Sequence, residues 1–180
     1  GKSRNMANPA GNPTIKLEGA GGKPVVNFDG KSQMRTNYNF SGTDFNLWRN
    51  GGSSVFGVSR YTGGDSERVI SSNGHNWLFG HHGNQIGRDY FYGWVDQGFA
   101  SDTKFHIFET LHEGRSVNTD PSATVWTDGI EGSYRRGGKN RSNNWNFYPG
   151  QLSFGASGTL SEASKCQVAE FIIFEGLINE

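Results

Sequence analysis

The chain has a single cysteine, Cys166, among 180 residues, and no excess of charge of either sign. One thiol excludes an intrachain disulfide, so the fold has to stand on its own core. Cys166 precedes the last apolar segment and reads as a small buried or half-buried hydrophobe, with intermolecular pairing as the lesser alternative. Seventeen Lys and Arg balance seventeen Asp and Glu, a formal net charge of zero. That balance removes the positive field on which general nucleic-acid binding depends. No apolar run approaches the ~20 residues of a membrane span, so neither nucleic acid nor membrane is expected as a partner. Helical periodicity with caps is missing as well; Ser161 to Lys165 supports one short turn at most. No secretory signal is visible, and Gly1-Lys-Ser-Arg4 does not resemble a native start, so the chain reads as an excised domain.

What is present is glycine and aromatic volume. The 27 glycines are about twice the average share. They are scattered between aromatic runs, which excludes collagen and low-complexity readings and suits turns between many short strands. Thirteen Phe, six Tyr and five Trp supply core volume to a chain that is only 33% hydrophobic. At 19.8 kDa one domain covers residues 1–180, with 1–23 as a less regular N-terminal segment.

The richest stretch is the last one, Val168-Ala-Glu-Phe-Ile-Ile-Phe-Glu-Gly-Leu-Ile-Asn-Glu180. Its β-branched and aromatic density predicts a buried strand. A chain that ends on its most hydrophobic segment has to return it to the middle of a sheet already built. The partner is expected near Pro24-Val-Val-Asn-Phe-Asp-Gly30, where a strand runs into an Asp-Gly turn. Further strands are expected at 14–18, 33–36, 54–61, 68–71, 76–81, 88–95, 104–111, 123–127, 130–134 and 151–154, with an irregular loop over 38–52. Thr127-Asp-Gly129 is a two-residue hairpin signal. Some ten to twelve strands give an all-β fold, a two-sheet antiparallel jelly-roll sandwich.

Pro24-Val-Val-Asn-Phe-Asp-Gly30, Ser54-Val-Phe-Gly-Val-Ser-Arg60 and Trp77-Leu-Phe-Gly80 resemble three successive strands of the laminin G-like, concanavalin A-like lectin-glucanase superfamily, in its bacterial or environmental branch. Val125-Trp-Thr-Asp-Gly129, Gln151-Leu-Ser-Phe-Gly155 and Val168-Ala-Glu-Phe-Ile-Ile-Phe174 resemble its later strands, so the likeness runs from about residue 24 to 180. The resemblance implies a ligand-binding or adhesive module of a larger extracellular or cell-surface protein. It also implies that catalysis has to be tested, since some relatives cleave polysaccharides. The E-x-D-x-E triplet that sets three carboxylates on one strand face in the laminarinase-type hydrolases is missing. His82, Gln85, Arg88 and Tyr90 supply the residue types of the lyase relatives without their motif. His81 and His82 are adjacent, point to opposite faces and cannot chelate as a strand pair.

Residues 75–95 carry the densest candidate chemistry: Arg88, Asp89 and Tyr90, with His82 nearby. Read as one strand over 88–95, alternation puts Arg88, Tyr90, Tyr92 and Trp94 on one face. Rings stack on the apolar faces of sugars, while Arg and Asp hydrogen-bond hydroxyls or a carboxylate. The bland alternative, aromatics filling a twisted sheet, is favoured for Tyr92 and Trp94. A second candidate is the loop from Tyr134 to Tyr148, where Arg135 and Trp145 stand among four cations suited to an anionic glycan. A solvated loop with Trp145 folded onto the sandwich is its alternative. The resemblance leaves calcium as an open expectation. Asp96, Asp102, Asn118 and Asp120 lie in loops, and their spacing matches no compact calcium motif.

The reading is a non-catalytic module that binds a glycan or another surface ligand through His82, Arg88, Asp89, Tyr90, Arg135 and Trp145. Two alternatives stay open: a structural, assembly or adhesion module that binds protein, and a polysaccharide-cleaving enzyme of the same fold.

Overall fold

The computed structural model describes residues 6–40, 52–74, 76–91, 94–113, 122–132, 150–158 and 160–178. In chain order its strands are β1 (Met6–Ala10), β2 (Thr14–Lys16), β3 (Val25–Asp29), β4 (Gln33–Asn39), β5 (Gly52–Tyr61), β6 (Ile70–Asn73), β7 (Leu78–Phe79) and β8 (His81–His82). They continue as β9 (Gln85–Tyr90), β10 (Trp94–Ala100), β11 (His106–Glu113), β12 (Ser122–Thr127), β13 (Ile130–Glu131), β14 (Gln151–Phe154) and β15 (Lys165–Glu175). One sheet runs β1-β4-β14-β6-β7-β9-β10, with β8 attached to β9; the other runs β13-β12-β11-β5-β15-β3-β2. The strand pairings are antiparallel, as a two-sheet jelly-roll sandwich requires.

The last strand does return to the middle. β15 lies between β5 and β3, pairing Cys166 with Phe28 and Val168 with Val26 on one side and Phe171 with Gly57 on the other. Its register shifts between Val168 and Glu170, a bulge at Ala169. Beyond the bulge the strand alternates, because one of its faces meets water. Phe171 and Ile173 pack against the core while Ile172 and Phe174 are 37% and 43% exposed. β5 shows the same period of two, with Val55, Gly57, Ser59 and Tyr61 buried and Phe56, Val58 and Arg60 half-buried.

Aromatic rings weld the two sheets. Phe79 stacks on Trp77 and meets Phe108 and Phe171 edge-on, with centroids 6.0–6.1 Å apart. Phe171 also meets Phe154 edge-on at 5.5 Å, and Trp77 touches Phe91 at 5.6 Å. Offset and T-shaped pairs of this kind add to the area they bury. The sheets approach closely at Gly57, where a Cβ would stand 2.8 Å from the Phe79 ring. Cys166 is fully buried among these residues, its thiol pushed well up by desolvation, which seals it from exchange.

Asp128 and Gly129 have φ of 52° and 78° and pair Thr127 with Ile130, the primed hairpin turn that Asp-Gly favours. The Asp128 carboxylate accepts the Ile107 N–H at 2.9 Å and faces His106 Nδ1 at 2.7 Å. Asp102 takes the other ring nitrogen at 2.8 Å and the Lys104 N–H at 2.7 Å. Burial alone would push the His106 imidazole down. The Asp102 and Asp128 acceptors outweigh it and hold its pKa above the usual 6.5. His106 in turn holds the Asp102 carboxyl below its usual value. His81, buried between the Tyr61 and Phe108 rings, and His112, buried against Phe91, are pushed down to about 3 by desolvation.

Several expected elements differ. Residues 88–95 are not one strand: β9 ends at Tyr90, β10 begins at Trp94, and the two pair as antiparallel neighbours. The stretch 76–81 breaks at Gly80 into β7 and β8. The N-terminal segment contains β1, which pairs with β4 although Met6-Ala-Asn-Pro-Ala10 carries no β-branched or aromatic residue to signal a strand; a neighbouring edge can recruit a strand through backbone bonds alone. β4 extends to Asn39; of the expected 130–134 strand, β13 covers Ile130–Glu131, Gly132 is not strand, and 133–134 lie outside the described residues. Ser161 to Lys165 is not helical; β15 starts at Lys165.

Two tests follow from the packing and the buried imidazoles. Gly57→Ala drives a methyl into Phe79 and is expected to cost about 1–3 kcal/mol of unfolding free energy by denaturant titration. Between pH ~3 and ~6.5 the unfolded chain binds protons at His81 and His112 that the folded chain refuses, so stability rises with pH through that interval. His106 has the opposite sign: its contribution is complete below ~6.5 and is lost as pH climbs through its raised value. Thermal unfolding against pH is expected to rise and then decline, with Asp102→Asn flattening the decline by a shift of about 2–4 °C.

Candidate functional site

The candidate site grows from one distortion in β9. The Gly87 and Arg88 N–H groups both donate to the Gly80 carbonyl, at 2.9 and 3.4 Å, and Gly87 has φ of 66°. A Cβ there would stand 2.7 Å from Gln97 Oε1 and 2.8 Å from Thr127 Oγ1, so only glycine fits. The extra residue changes the phase of the strand. Ile86, two residues earlier, faces the core, while Arg88 and Tyr90 are half-buried on the outer face and Asp89 points inward. The Asp89 carboxylate accepts the Gly80 N–H at 2.7 Å and is 2% exposed. It fixes the corner between β7 and β8 and is withdrawn from the surface.

Cross-strand pairing then places Trp94 opposite Tyr90. The Arg88 guanidinium lies over the Trp94 ring, 4.4 Å from its centroid. Tyr90 meets the same indole edge-on at 5.1 Å, and His82 approaches it at 5.3 Å. His82 is delivered by the Gly83-Asn84 turn, which sets it opposite Gln85. Trp94 opens β10, which is an end strand of its sheet, so the cluster stands at a sheet border.

Around His82 the patch becomes polar. Its Nε2 is 3.6 Å from both the Glu67 and the Glu162 carboxylates, whose side chains are 41% and 43% exposed. Arg68 pairs with Glu162 and donates to Asn76 Oδ1 at 2.9 Å. The result is a ring-and-guanidinium shelf flanked by two exposed carboxylates. It offers flat apolar surface, several N–H donors and two acceptors, the inventory a polyhydroxylated ligand uses.

Of the sequence candidates, His82, Arg88 and Tyr90 converge on Trp94, and Asp89 turns away from them. Arg135 and Trp145, with Tyr92, Asn118 and Asp120, lie outside the described residues. For calcium, Asp102 is spent on His106 and Lys104, and no group of three or more His, Cys, Asp or Glu among the described residues could hold a metal. The sequence favours sheet filling for Trp94, and Glu67, Arg68 and Glu162 carry no signal in it. A hairpin reading of 85–100 would have exposed Trp94 as Tyr90's partner; the Glu67 and Glu162 contacts join distant loops and leave no trace in spacing.

No protein-family model matches the chain, and no curated protein does. Solved structures do. The binding domain of botulinum neurotoxin DC, in complex with rat synaptotagmin II, superposes with a TM-score of 0.63 at 12% identity over 98% of this chain and 45% of that one. The same domain in complex with SialylT gives 0.58 at 13%, over 98% and 45%. A structure of botulinum neurotoxin type C, whose uptake into cells depends upon interaction with two ganglioside molecules, gives 0.60 at 11%, over 98% and 44%. The chain shares the two-sheet β-sandwich fold of these domains. At these identities the likeness shows the fold alone, and the chain spans less than half the length of the toxin chains.

Proposed function

We propose that this domain is a non-catalytic glycan-binding module of laminin G-like type, working at a cell surface or outside the cell, with the Trp94 shelf as its contact. The observation that carries the reading is the half-buried indole at a sheet border, clasped by Arg88, Tyr90 and His82. A sugar ring stacks its apolar face on such a shelf and meets Arg88 with its hydroxyls or a carboxylate. Arg88 favours a glycan with an acidic sugar. The toxin domains of similar fold that carry SialylT, or that depend on gangliosides, support this class of ligand. The synaptotagmin complex supports a protein partner as the alternative occupant. Arg135 and Trp145 remain candidates to extend the contact, and calcium a candidate to order it.

A second reading rests on a separate observation. His82, Gln85, Arg88 and Tyr90, the residue types of polysaccharide lyases, stand on one patch, with Glu67 and Glu162 beside His82. An Arg that neutralises a uronate, with Tyr or His moving the proton, is the chemistry that reading requires.

Binding to immobilised neutral, uronate-containing and sialylated glycans, in calcium and again in chelator, tests the first reading. Retention on an acidic class is expected, with Trp94→Ala and Arg88→Ala each weakening it about tenfold, or ~1.4 kcal/mol. Loss in chelator would add the metal; no retention on any glycan would overturn the proposal and move the weight to protein partners. For the second reading, reducing ends and unsaturated products are measured on uronate polymers. No product is expected, and product that disappears in Tyr90→Phe would establish cleavage.

A further inference from the structure

β15 is 11 residues long, and only its first part has a strand on both sides. Residues 165–168 pair with β3, while residues 169–174 have β5 as their one partner strand among the described residues. The cause lies in β3. It begins at Val25, and the residue before it, Pro24, has no N–H to give a ladder. Ahead of Pro24 the chain is held in a turn: the Gly19 N–H donates to the Lys23 carbonyl and the Lys23 N–H to the Ala20 carbonyl, both at 2.9 Å. At the same level β15 bulges at Ala169. What remains is a strand edge about 20 Å long, at the ~3.3 Å rise of a strand residue. Its outward N–H and C=O groups are a template for one more strand.

The flanks of this edge suit an added strand. On the inner side, Phe171 and Ile173 stay half-buried although they pack toward the core. They border a cleft of about 390 Å³ whose other wall includes Phe40, Leu152 and Phe154. Every second residue of an added strand would meet apolar surface there. On the outer side stand Glu170, Ile172 and Phe174, all exposed. The residues in between would face these three, and Lys or Arg does so best, its charge meeting Glu170 and its stem covering Ile172 and Phe174. The edge is also recessed. β3 and β2 continue the sheet at one end of it, so a single strand fits, whereas the neighbouring strand of a second folded copy would meet β2.

We propose that residues 169–174 form a strand-addition site, which takes one extended segment of a partner protein with apolar residues alternating with Lys or Arg. The apolar residues enter the cleft, the basic ones lie over Glu170, Ile172 and Phe174, and the backbone completes the ladder that β3 leaves open. The site shares no residue with the Trp94 shelf, so it stands or falls apart from glycan binding.

Fluorescence anisotropy of a labelled octapeptide of alternating valine and lysine, titrated with the intact domain, tests this, with amide hydrogen exchange as a second readout. Saturable 1:1 binding is expected, together with slowed exchange at residues 169–174. A peptide of the same composition with its valines in one block is expected to bind at least about tenfold more weakly. Only one set of alternate amides can face β15. Of two further peptides, N-methylated on the valines or on the lysines, at least one is therefore expected to lose about tenfold or more. Glu170→Lys, at an exposed position, is expected to weaken the lysine peptide by up to about fivefold. Trp94→Ala is expected to change nothing. The proposal is overturned if the alternating peptide shows no saturable binding, if the block peptide or both methylated peptides bind as tightly, or if Glu170→Lys leaves the affinity unchanged. Dimerisation of the domain with protection of residues 169–174 would overturn it as well, in favour of a second copy.

Discussion

The pairing of β15 with β5 and β3 is the contact on which the rest depends. Without it one sheet separates into β2-β3 and β5-β11-β12-β13, and each piece would present an unpaired edge to water. The same strand carries Cys166, Val168, Phe171 and Ile173 into the core. A polar clasp crosses these strands as well: Arg60 Nε donates to Gln167 Oε1 at 2.9 Å, and Gln167 Nε2 donates to Asn27 Oδ1 at 3.0 Å. Gln167 is almost fully buried, so both ends of its amide being engaged removes the desolvation cost that an unsatisfied amide would carry. Residues 165–168 pair with residues 26–29, so this sheet is closed by contacts between segments distant in sequence.

The frame that β15 completes is rigid where aromatic rings interlock and irregular where function is proposed. Phe79 fixes the sheet separation by entering the space that Gly57 leaves. Near one end, the Gly87 bulge turns Arg88 and Tyr90 outward and Asp89 inward, so one distortion builds the shelf and its internal support together. On β15, the register shift at Ala169 falls beside an apolar cleft lined by β3, β4, β14 and β15. In both places an extra residue in one strand converts regular pairing into a surface or a space, at the expense of local ladder bonds.

Charge plays a local part in a chain whose net charge is zero. His106 is held between two carboxylates that tie the 127–130 hairpin and the segment before β11 to the strand. His81 and His112 behave as aromatic core residues that titrate far below neutrality. His82, adjacent to His81 in sequence, stands on the opposite face among Glu67, Glu162 and Trp94. Alternation alone gives one histidine to the core and its neighbour to the patch.

Composition and pattern determined a good deal by themselves. Glycine-punctuated aromatic runs without helical periodicity can bury a core only as packed sheets. An apolar last segment with a partner near residue 25 has one economical place, the interior of a sheet. The Asp-Gly hairpin at 128–129 and the opposite faces of His81 and His82 also follow from local chemistry. Tertiary structure decided the rest, because bulges shift phase and pairing joins distant residues. The positive φ at Gly87 reverses the face of every residue after it, and no period-two reading contains that reversal. Trp94 meets Tyr90 through a hairpin hidden within what reads as one strand. β1 forms because β4 offers it an edge, although its own sequence argues for no strand. Glu67, Arg68, His82 and Glu162 come together only when two loops nearly a hundred residues apart are carried to the same side of the sandwich, a distance over which sequence spacing holds no geometric information.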